Sequence, residues 1–282
     1  MANSRRTVLI TGCSDGGMGA ALAKEFSSVG QHVYATARDL SKMSSLSSSN
    51  IRMLELDIQS ESSITDCVKS LPSLDILINN AGVQYTMPVV DASITEAKRL
   101  FDTNVWGNIA LTQAFLPLLL SSPNAMIVNH TSVGSGLAIP FQAAYNASKA
   151  AMSMFSDTLR LELQPFDILV VNLKTGGVKT NVIKNLRSKG PELTDNSIYA
   201  PAKETVEKAL RMEYFDGMGI TAEQWAKVVV ADLLQPRPPP NIWRGESAWL
   251  ARMCSFLPFG WLDGMVKQMT RLDKVESIIR GQ

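Results

Sequence analysis

Short apolar runs, many of them β-branched, alternate with longer amphipathic segments over the first two-thirds of the chain. The runs are typical of strands buried in a parallel sheet, and the segments between them carry apolar residues at helical spacing. Strands are predicted at Thr7–Thr11, His32–Thr36, Met53–Asp57, Ile76–Asn79, Met126–Asn129 and Ile168–Leu173. Helices are predicted at Gly19–Val29, Ser60–Lys69, Thr95–Leu120 and Ala143–Gln164. This alternation predicts an α/β fold, a doubly wound parallel sheet with helices on both faces.

The pattern changes after Thr180. Residues 181–220 mix glycine, proline and charge with weak periodicity, so no element is predicted there. A helix is predicted at Thr221–Leu234, where Thr221 can act as the N-cap and Gln224 occupies the capping-box position. The proline-rich run that follows ends this helix.

The last part of the chain, Trp243–Ile279, is rich in Trp, Phe, Met and Leu. Pro258 and Gly260 interrupt its apolar spacings of three and four, which predicts two short helices joined by a bend. We predict one main domain over 1–245 and an extension over 246–282 that packs on it and is not an independent domain. The extension can contact a membrane, cover a pocket or pack as core, and these roles depend on the aromatic residues Trp249, Phe256, Phe259 and Trp261.

Composition and charge argue against several classes of function. The 282 residues carry a formal net charge of +1, which predicts no nucleic-acid partner. Three distant cysteines and two histidines match neither a disulfide framework nor a metal site, and they suit a reducing compartment. No apolar run has the length of a signal peptide core or a membrane span, so a cytoplasmic location is expected.

A glycine cluster connects the first predicted strand to the first predicted helix. Glycine permits a tight turn and a close approach of the backbone to a pyrophosphate, and the start of the helix supplies N–H groups and a positive dipole. In this position the cluster predicts a dinucleotide site, and an ordinary glycine-rich turn is the alternative. The residues expected to bind the dinucleotide here are Gly12, Ser14, Gly17, Met18 and Gly19.

The residues after the second strand bear on which dinucleotide is bound. An NAD site usually has an acidic residue there that binds the ribose 2′-hydroxyl. Ala37 occupies this position, and Arg38 can pair with a 2′-phosphate, which favours NADPH over NADH. Asp39 and Asp15 argue mildly for NADH, and Arg38 can also be interpreted as a solvated surface cation.

Tyr145 and Lys149 are spaced i, i+4 in a predicted helix and therefore lie on one face of it. A phenol normally titrates at about pH 10, and a nearby ammonium is expected to lower its pKa. Ser132 follows the fifth predicted strand, at the sheet edge where open α/β sheets bind ligands, and its hydroxyl can hydrogen-bond a substrate carbonyl. These three side chains are the predicted catalytic group.

In their order and spacing, these motifs resemble those of the short-chain dehydrogenase/reductase family. The resemblance implies a Rossmann-type sheet of about seven strands. It also implies reversible hydride transfer between a nicotinamide and a ketone or aldehyde, a small-molecule substrate. The matching pieces are Thr11–Gly19, Asp57, Asn79–Gly82, Asn104, Ser132, Tyr145, Lys149 and Thr175–Thr180.

The resemblance assigns roles to the catalytic residues. Tyr145 donates the proton, and Ser132 orients and polarises the carbonyl oxygen. Lys149 assists the proton transfer, and Asn104 anchors a water in a proton relay.

The resemblance also extends the cofactor site beyond the glycine turn and Arg38. Asp57 and Asn80 are implied to border the adenine. Lys149 is implied to hold the nicotinamide ribose, and Val178 and Thr180 the carboxamide. The residues that it adds to the cofactor site are Asp57, Asn80, Ala81, Gly82, Tyr145, Lys149, Gly176, Val178 and Thr180.

Two departures from the family pattern affect loops. Aligned on Gly17–Gly19, the glycine loop has one extra residue, so a longer or bulged phosphate loop is expected. The usual Pro-Gly after the sixth strand is replaced by Thr175 and Gly176, which predicts a looser turn.

A narrower resemblance reaches the end of the chain. The segments Gly176–Val178, Ser197–Tyr199, Trp243–Gly245 and Leu272–Val275 are similar to those of fungal 1-acyldihydroxyacetone-phosphate reductases. That resemblance implies NADPH, a lipid-like or fungal secondary-metabolite substrate, and peripheral contact with the endoplasmic reticulum or lipid droplets.

Alternatives stay open beside this interpretation. A regulatory protein that senses the dinucleotide without catalysis would not need all of Ser132, Tyr145 and Lys149. A sugar-nucleotide epimerase or dehydratase shares the Tyr/Lys pair but usually has a larger C-terminal domain. A homodimer or homotetramer is expected, and His130 and Cys13 are interpreted as packed residues rather than catalytic ones.

Overall fold

The computed structural model describes residues 5–47, 50–258 and 260–281. Its centre is a seven-stranded sheet in which every neighbouring pair of strands is parallel. The strands in chain order are β1 Thr7–Thr11, β2 His32–Ala37, β3 Ile51–Glu55, β4 Ile76–Asn79, β5 Met126–Ser132, β6 Leu169–Thr175, β7 Val178–Lys179, β8 Ile220–Thr221 and β9 Asn241–Arg244. The sheet order is β3-β2-β1-β4-β5-β6-β9, and β7 and β8 form a separate parallel pair. The predicted doubly wound α/β fold of about seven strands is therefore confirmed.

Helices cover both faces of the sheet, and each face has its own apolar core. One core joins the sheet to α1 and α8, and the other joins it to α2 and α4, while α5 packs against β5 and β6. The helices are α1 Met18–Ser28, α2 Glu61–Lys69, α3 Ile94–Phe101, α4 Gly107–Leu120, α5 Ala143–Glu162, α6 Asn181–Ser188, α7 Lys203–Leu210, α8 Ala222–Leu233, α9 Ala248–Cys254, α10 Asp263–Thr270 and α11 Leu272–Arg280.

The predicted helix Thr95–Leu120 is interrupted. A π-helical turn, Asp102–Trp106, separates α3 from α4, and the Gly107 N–H donates to the Asp102 carbonyl five residues earlier. Such turns widen a helix locally and are frequent at functional sites. The apolar pattern does not reveal this one, because the helical direction continues through it.

Several strands differ from the prediction: the short pair β7 and β8 was not predicted, and β5 continues three residues further, to Ser132. β3 lies two residues earlier than predicted, so Asp57 follows the strand instead of ending it; this edge strand is only half-buried and has no clear apolar run. β9 was not predicted, because its four residues contain a single fully buried side chain, Ile242, and follow a proline-rich run. The predicted cap of α8 is confirmed: the Thr221 hydroxyl accepts from Gln224 N at 3.2 Å, and the Gln224 amide oxygen accepts from Thr221 N at 3.1 Å.

A third apolar cluster lies outside the sheet, and we call it the outer lobe. It joins the loop before α5 to α7 and α11, and its buried residues are Phe141, Leu193, Ala202, Val206, Ala209, Leu210 and Val275. The extension after residue 245 divides into α9, which lies against β9, and the pair α10–α11, of which α11 packs on α7. Pro258 and Gly260 separate α9 from α10 as predicted, whereas Phe259 lies outside the described residues. In the part of the chain that the structure describes, no helix is both long and apolar enough to cross a membrane.

Candidate active site

A cleft of about 550 Å³ opens at the carboxyl ends of the central strands. This is where open α/β sheets bind ligands, because the loops that follow the strands diverge there. Among the residues predicted for the cofactor, those lining the cleft are Gly12, Ser14, Gly17, Met18, Arg38, Asp57, Asn80, Ala81, Gly82 and Thr180. Lining residues that sequence reasoning missed include Lys42, Gln59, Thr103, Asn181 and Asn185, whose residue types carry no recognisable signal.

The glycine turn forms one wall of this cleft. Gly12 has a φ of +72°, and a Cβ there would lie 3.0 Å from the Ala81 Cα. A Cβ on Gly19 would collide with the Gly12 carbonyl, so Gly19 acts in packing α1 against β1 and does not line the cleft. Gly17 is the N-cap of α1 and gives it no side-chain cap, which leaves the first N–H groups of this helix to accept an anion. These features fit a bound pyrophosphate.

The extra residue of the loop produces the expected bulge. The Asp15 N–H donates to the Lys42 carbonyl at 2.7 Å, and the next residue, Gly16, has a φ of +71°. Hydrogen bonds from Ser45 and Ser44 lower the pKa of Asp15. Across the cleft, the Asn181 amide donates to the Asp15 carbonyl at 3.0 Å, so the start of α6 rests on the bulge.

Both acids that argued for NADH accept hydrogen bonds from serines. The Asp39 carboxylate accepts from the N–H and hydroxyl of Ser41, at 2.9 and 2.6 Å, and so caps the short helix after β2. The Asp15 carboxylate accepts hydrogen bonds from Ser44 and Ser45 of the same segment. Arg38, Lys42 and Asp15 line the cleft, and the two cations outnumber the one acid there.

The structure brings the three predicted catalytic side chains together. The Tyr145 phenol lies beside Ser132, whose hydroxyl accepts from the Gly134 N–H at 3.1 Å. The Lys149 ammonium is 5.8 Å from the centre of the Tyr145 ring and donates to the His130 carbonyl at 2.9 Å. Strand β5 supplies Ser132 and α5 supplies the other two, so their alignment depends on how this helix packs on the sheet.

The electrostatics differ from the expectation that Lys149 lowers the pKa of Tyr145. Burial raises the pKa of the phenol, and the neighbouring Ser132 hydroxyl offsets only part of that effect. Burial also lowers the pKa of Lys149 from 10.5 to about 8. Tyr145 is therefore protonated at neutral pH, which suits a proton donor.

Asn104 lies in the π-helical turn and is fully buried. Its amide oxygen accepts from Val83 N at 2.8 Å, and its amide nitrogen donates to the Val83 carbonyl and to Ser148 Oγ, both at 3.0 Å. Both amide N–H groups are thus used in joining the loop after β4 to α5. The amide oxygen and the main-chain carbonyl, which accepts from Asn108, can each accept one more hydrogen bond, for example from a relay water.

The turn after β6 is not loose, contrary to expectation. Gly176 N donates to the Arg244 carbonyl at 2.9 Å, and Gly177 N donates to the Glu246 carbonyl at 3.0 Å. Gly176 therefore packs against the segment after β9 and does not line the cleft. Val178 lines a second cleft of about 330 Å³, and Thr180 borders both clefts. Among the described residues, no group of three or more His, Cys, Asp or Glu side chains is arranged to hold a metal ion.

Comparisons with known proteins agree with this geometry. A family model described as short chain dehydrogenase matches residues 6–191. A short-chain dehydrogenase/reductase of Pestalotiopsis microspora is 51% identical over 281 residues, covering 99% of each chain. The NADPH-dependent 1-acyldihydroxyacetone phosphate reductase of Schizosaccharomyces pombe is 34% identical over 287 residues, covering 95% of each chain. A solved short-chain dehydrogenase from Streptomyces avermitilis has a TM-score of 0.75 at 25% identity, covering 99% of this chain and 98% of that one.

Proposed function

We propose that this chain, which belongs to the short-chain dehydrogenase/reductase family of oxidoreductases acting on CH–OH and C=O groups, reduces a ketone or aldehyde with NADPH. The observation that carries the proposal is the placement of the Ser132 hydroxyl and the buried ammonium of Lys149 beside the Tyr145 phenol. A protein that only senses the dinucleotide has no use for this arrangement, so nothing in the site favours that alternative.

The protein's part in the reaction is to position groups and to move one proton. NADPH, when bound, supplies the hydride for the carbonyl carbon. Ser132 hydrogen-bonds the carbonyl oxygen, which polarises it and holds it next to the phenol. Tyr145, kept protonated by burial, gives its proton to the oxygen as negative charge develops there. Lys149 stabilises the phenolate that this transfer leaves behind.

Different parts of the cleft would hold different parts of the dinucleotide. The glycine turn and the start of α1 accept the pyrophosphate, as the uncapped N–H groups allow. Asp57 and Asn80 border the adenine end of the cleft, and Thr180 and Val178 hold the carboxamide. Asn104 takes part through its amide oxygen or its main-chain carbonyl.

The preference for NADPH rests on charge at the end of β2. Arg38 and Lys42 line the cleft there, while Asp39 is engaged with Ser41 and Asp15 with Ser44 and Ser45. A guanidinium paired with a 2′-phosphate forms a charge-assisted hydrogen bond that NADH cannot supply. The relative from Schizosaccharomyces pombe is an NADPH-dependent reductase, which supports this preference.

The substrate class proposed is a lipid-like or secondary-metabolite carbonyl. The outer lobe supports an apolar substrate, because its core contains Phe141, which lies four residues before Tyr145 in the chain. The test is a panel of carbonyls and alcohols, assayed with NADPH and with NADH at the nicotinamide absorbance band. Turnover of any carbonyl with NADPH supports the proposal; tight NADPH binding with no turnover across the panel favours a sensor.

We also propose that the extension makes peripheral contact with a lipid surface, at the endoplasmic reticulum or a lipid droplet. Helix α9 buries Ala248 and Ala251 against the domain and turns larger apolar residues outward, and two indoles are about 70% exposed. The exposed apolar residues of α9, α10 and the bend between them are Trp249, Leu250, Met253, Phe256, Leu257, Trp261 and Met265. An interfacial segment of this kind inserts its apolar face and keeps nearby cations at the headgroups.

A homodimer is proposed on a different face, where the π-helical turn packs against α5. Trp106 contacts Phe155 edge to face at 6.1 Å, and both rings are exposed, as is Met154. A second copy of the chain would bury this surface. Light scattering after size exclusion is expected to give twice the 30.7 kDa chain mass, and a monomer would contradict the proposal.

A further inference from the structure

His130 occupies a position on β5 that the proposed reaction does not use. Its ring is buried and stacks on Trp225, with ring centres 5.2 Å apart. Nδ1 lies 2.9 Å from the Asn80 amide oxygen, and Nε2 lies 2.7 Å from the Thr175 hydroxyl. One ring therefore connects the residue after β4 with the last residue of β6.

The hydrogen-bond partners of Asn80 determine which nitrogen of the ring carries the proton. The Asn80 amide nitrogen donates to the Thr11 carbonyl at 2.6 Å and to the Gly12 carbonyl at 3.2 Å, so the amide oxygen faces His130. That oxygen can only accept, which requires a proton on Nδ1. Nε2 must then accept from the hydroxyl of Thr175.

The ring is a neutral connector rather than an acid or base. Burial, together with the charge of Lys149, lowers the pKa of His130 to about 3. Lys149 contacts only the backbone carbonyl of His130, so no proton passes from its ammonium to the ring. Both ring nitrogens are hydrogen-bonded in a single tautomer, in which Nδ1 donates and Nε2 accepts.

The Asn80 amide lies inside the glycine turn. A Cβ on Gly19 would be 2.6 Å from its nitrogen, and a Cβ on Gly12 would be 3.3 Å from it. Turning this amide around would direct its oxygen at the carbonyls of Thr11 and Gly12, which would repel it. The orientation of one side chain therefore decides whether the turn between β1 and α1 holds its shape.

We propose that His130 is a positioning residue that keeps the Asn80 amide directed at the glycine turn and thereby prepares the turn for the dinucleotide. This rests on the proposed function, since it takes NADPH as the ligand of the cleft. The predicted consequence is specific: loss of the Nδ1 donor weakens NADPH binding, whereas loss of the Nε2 acceptor does not.

Two amide substitutions test the roles of the two ring nitrogens of His130 separately. The amide of Asn reaches the position of Nδ1, whereas the longer Gln reaches that of Nε2. His130→Asn therefore keeps a donor for Asn80, and His130→Gln keeps an acceptor for Thr175. The measurement is the dissociation constant of NADPH by fluorescence titration, with the melting temperature of each variant recorded alongside.

We expect His130→Gln to raise the dissociation constant about tenfold, the effect of one buried hydrogen bond, and His130→Asn to change it less than about twofold. Equal dissociation constants for the two variants, whatever their melting temperatures, would show that the ring only packs and would overturn the inference. If the wild type turns over carbonyls with NADPH and the two variants have equal dissociation constants for NADPH, only this inference is contradicted and the proposed function stands. A wild-type chain that does not bind NADPH overturns the proposed function as well.

Discussion

Lys149 is a buried cation, so its replacement by methionine is expected to stabilise the fold while it abolishes turnover. Burial lowers the pKa of this ammonium from 10.5 to about 8, and the side chain is only 7% exposed. At ~1.36 kcal/mol per pKa unit, charging Lys149 costs about 3 kcal/mol more in the folded chain than in the unfolded one. Methionine avoids that cost but loses the hydrogen bond to the His130 carbonyl, a loss of about 1 kcal/mol. The net gain is about 2 kcal/mol near pH 7.

The sign of the pH dependence follows from the lowered pKa. Below pH 8 the lysine is charged in both states, and the full cost is present. Between pH 8 and 10.5 the folded chain releases the proton before the unfolded chain does, so the wild type gains stability as the pH rises. The advantage of Lys149→Met is therefore about 2 kcal/mol at pH 7 and close to zero at pH 10.

The assay is urea unfolding of both proteins at pH 7 and pH 10. Lys227→Met, at an exposed position on α8, is the control, and its difference from wild type should not depend on pH. A Lys149→Met variant that is less stable than wild type at pH 7, or whose advantage persists at pH 10, would falsify the assignment of Lys149 as a destabilising buried charge.

Three further outcomes are expected. Tyr145→Phe removes only the proton donor, so turnover should fall roughly 10²-fold or more while the dissociation constant of NADPH is kept. Arg38→Ala should raise the dissociation constant of NADPH about ten- to a hundredfold, the worth of one charge-assisted hydrogen bond, and leave that of NADH nearly unchanged. Replacing Trp249 and Phe256 together by serine should reduce sedimentation with anionic vesicles and leave turnover of a small soluble carbonyl intact.

Each of these has a contradicting result. Near-normal turnover in Tyr145→Phe removes the phenol from the reaction. Equal weakening of both dinucleotides in Arg38→Ala means that the arginine acts on the structure of the loop. Unchanged vesicle binding of the doubly substituted extension rules out its apolar face as the lipid contact, and an unchanged melting temperature confirms that this variant is folded.

The apolar pattern predicted the sheet well because its strands are buried on both faces. Strand β1 and strand β4 consist almost entirely of residues with no solvent exposure, and no solvated face blurs their signal. Edge strands lack this signal: β3 is displaced by two residues, and β9 was missed altogether. The same argument covers the π-helical turn at Asn104, which changes hydrogen bonding without changing which residues are apolar.

Site residues divide in a similar way. The i, i+4 spacing of Tyr145 and Lys149 is a local property of one helix, so the sequence was enough to place both on one face. The predicted lowering of the Tyr145 pKa by Lys149 was wrong, because burial raises this pKa and desolvation depends on what surrounds the phenol. Sequence also missed what the extra loop residue touches, since Ser45 and Asn181 come from distant parts of the chain.

What the sequence determined by itself was therefore the set of local patterns: the alternation of strands and helices, the glycine turn, the capping box at Thr221 and the order of the catalytic residues. Only the tertiary structure decided the tautomer of His130 and the hydrogen-bond partners of the Asn104 side chain. It also divided the extension: α11 packs with the outer lobe, whereas α9 exposes an apolar face. The physical reason is that hydrogen-bond direction and desolvation depend on partners from several elements, and no single stretch of sequence contains them all.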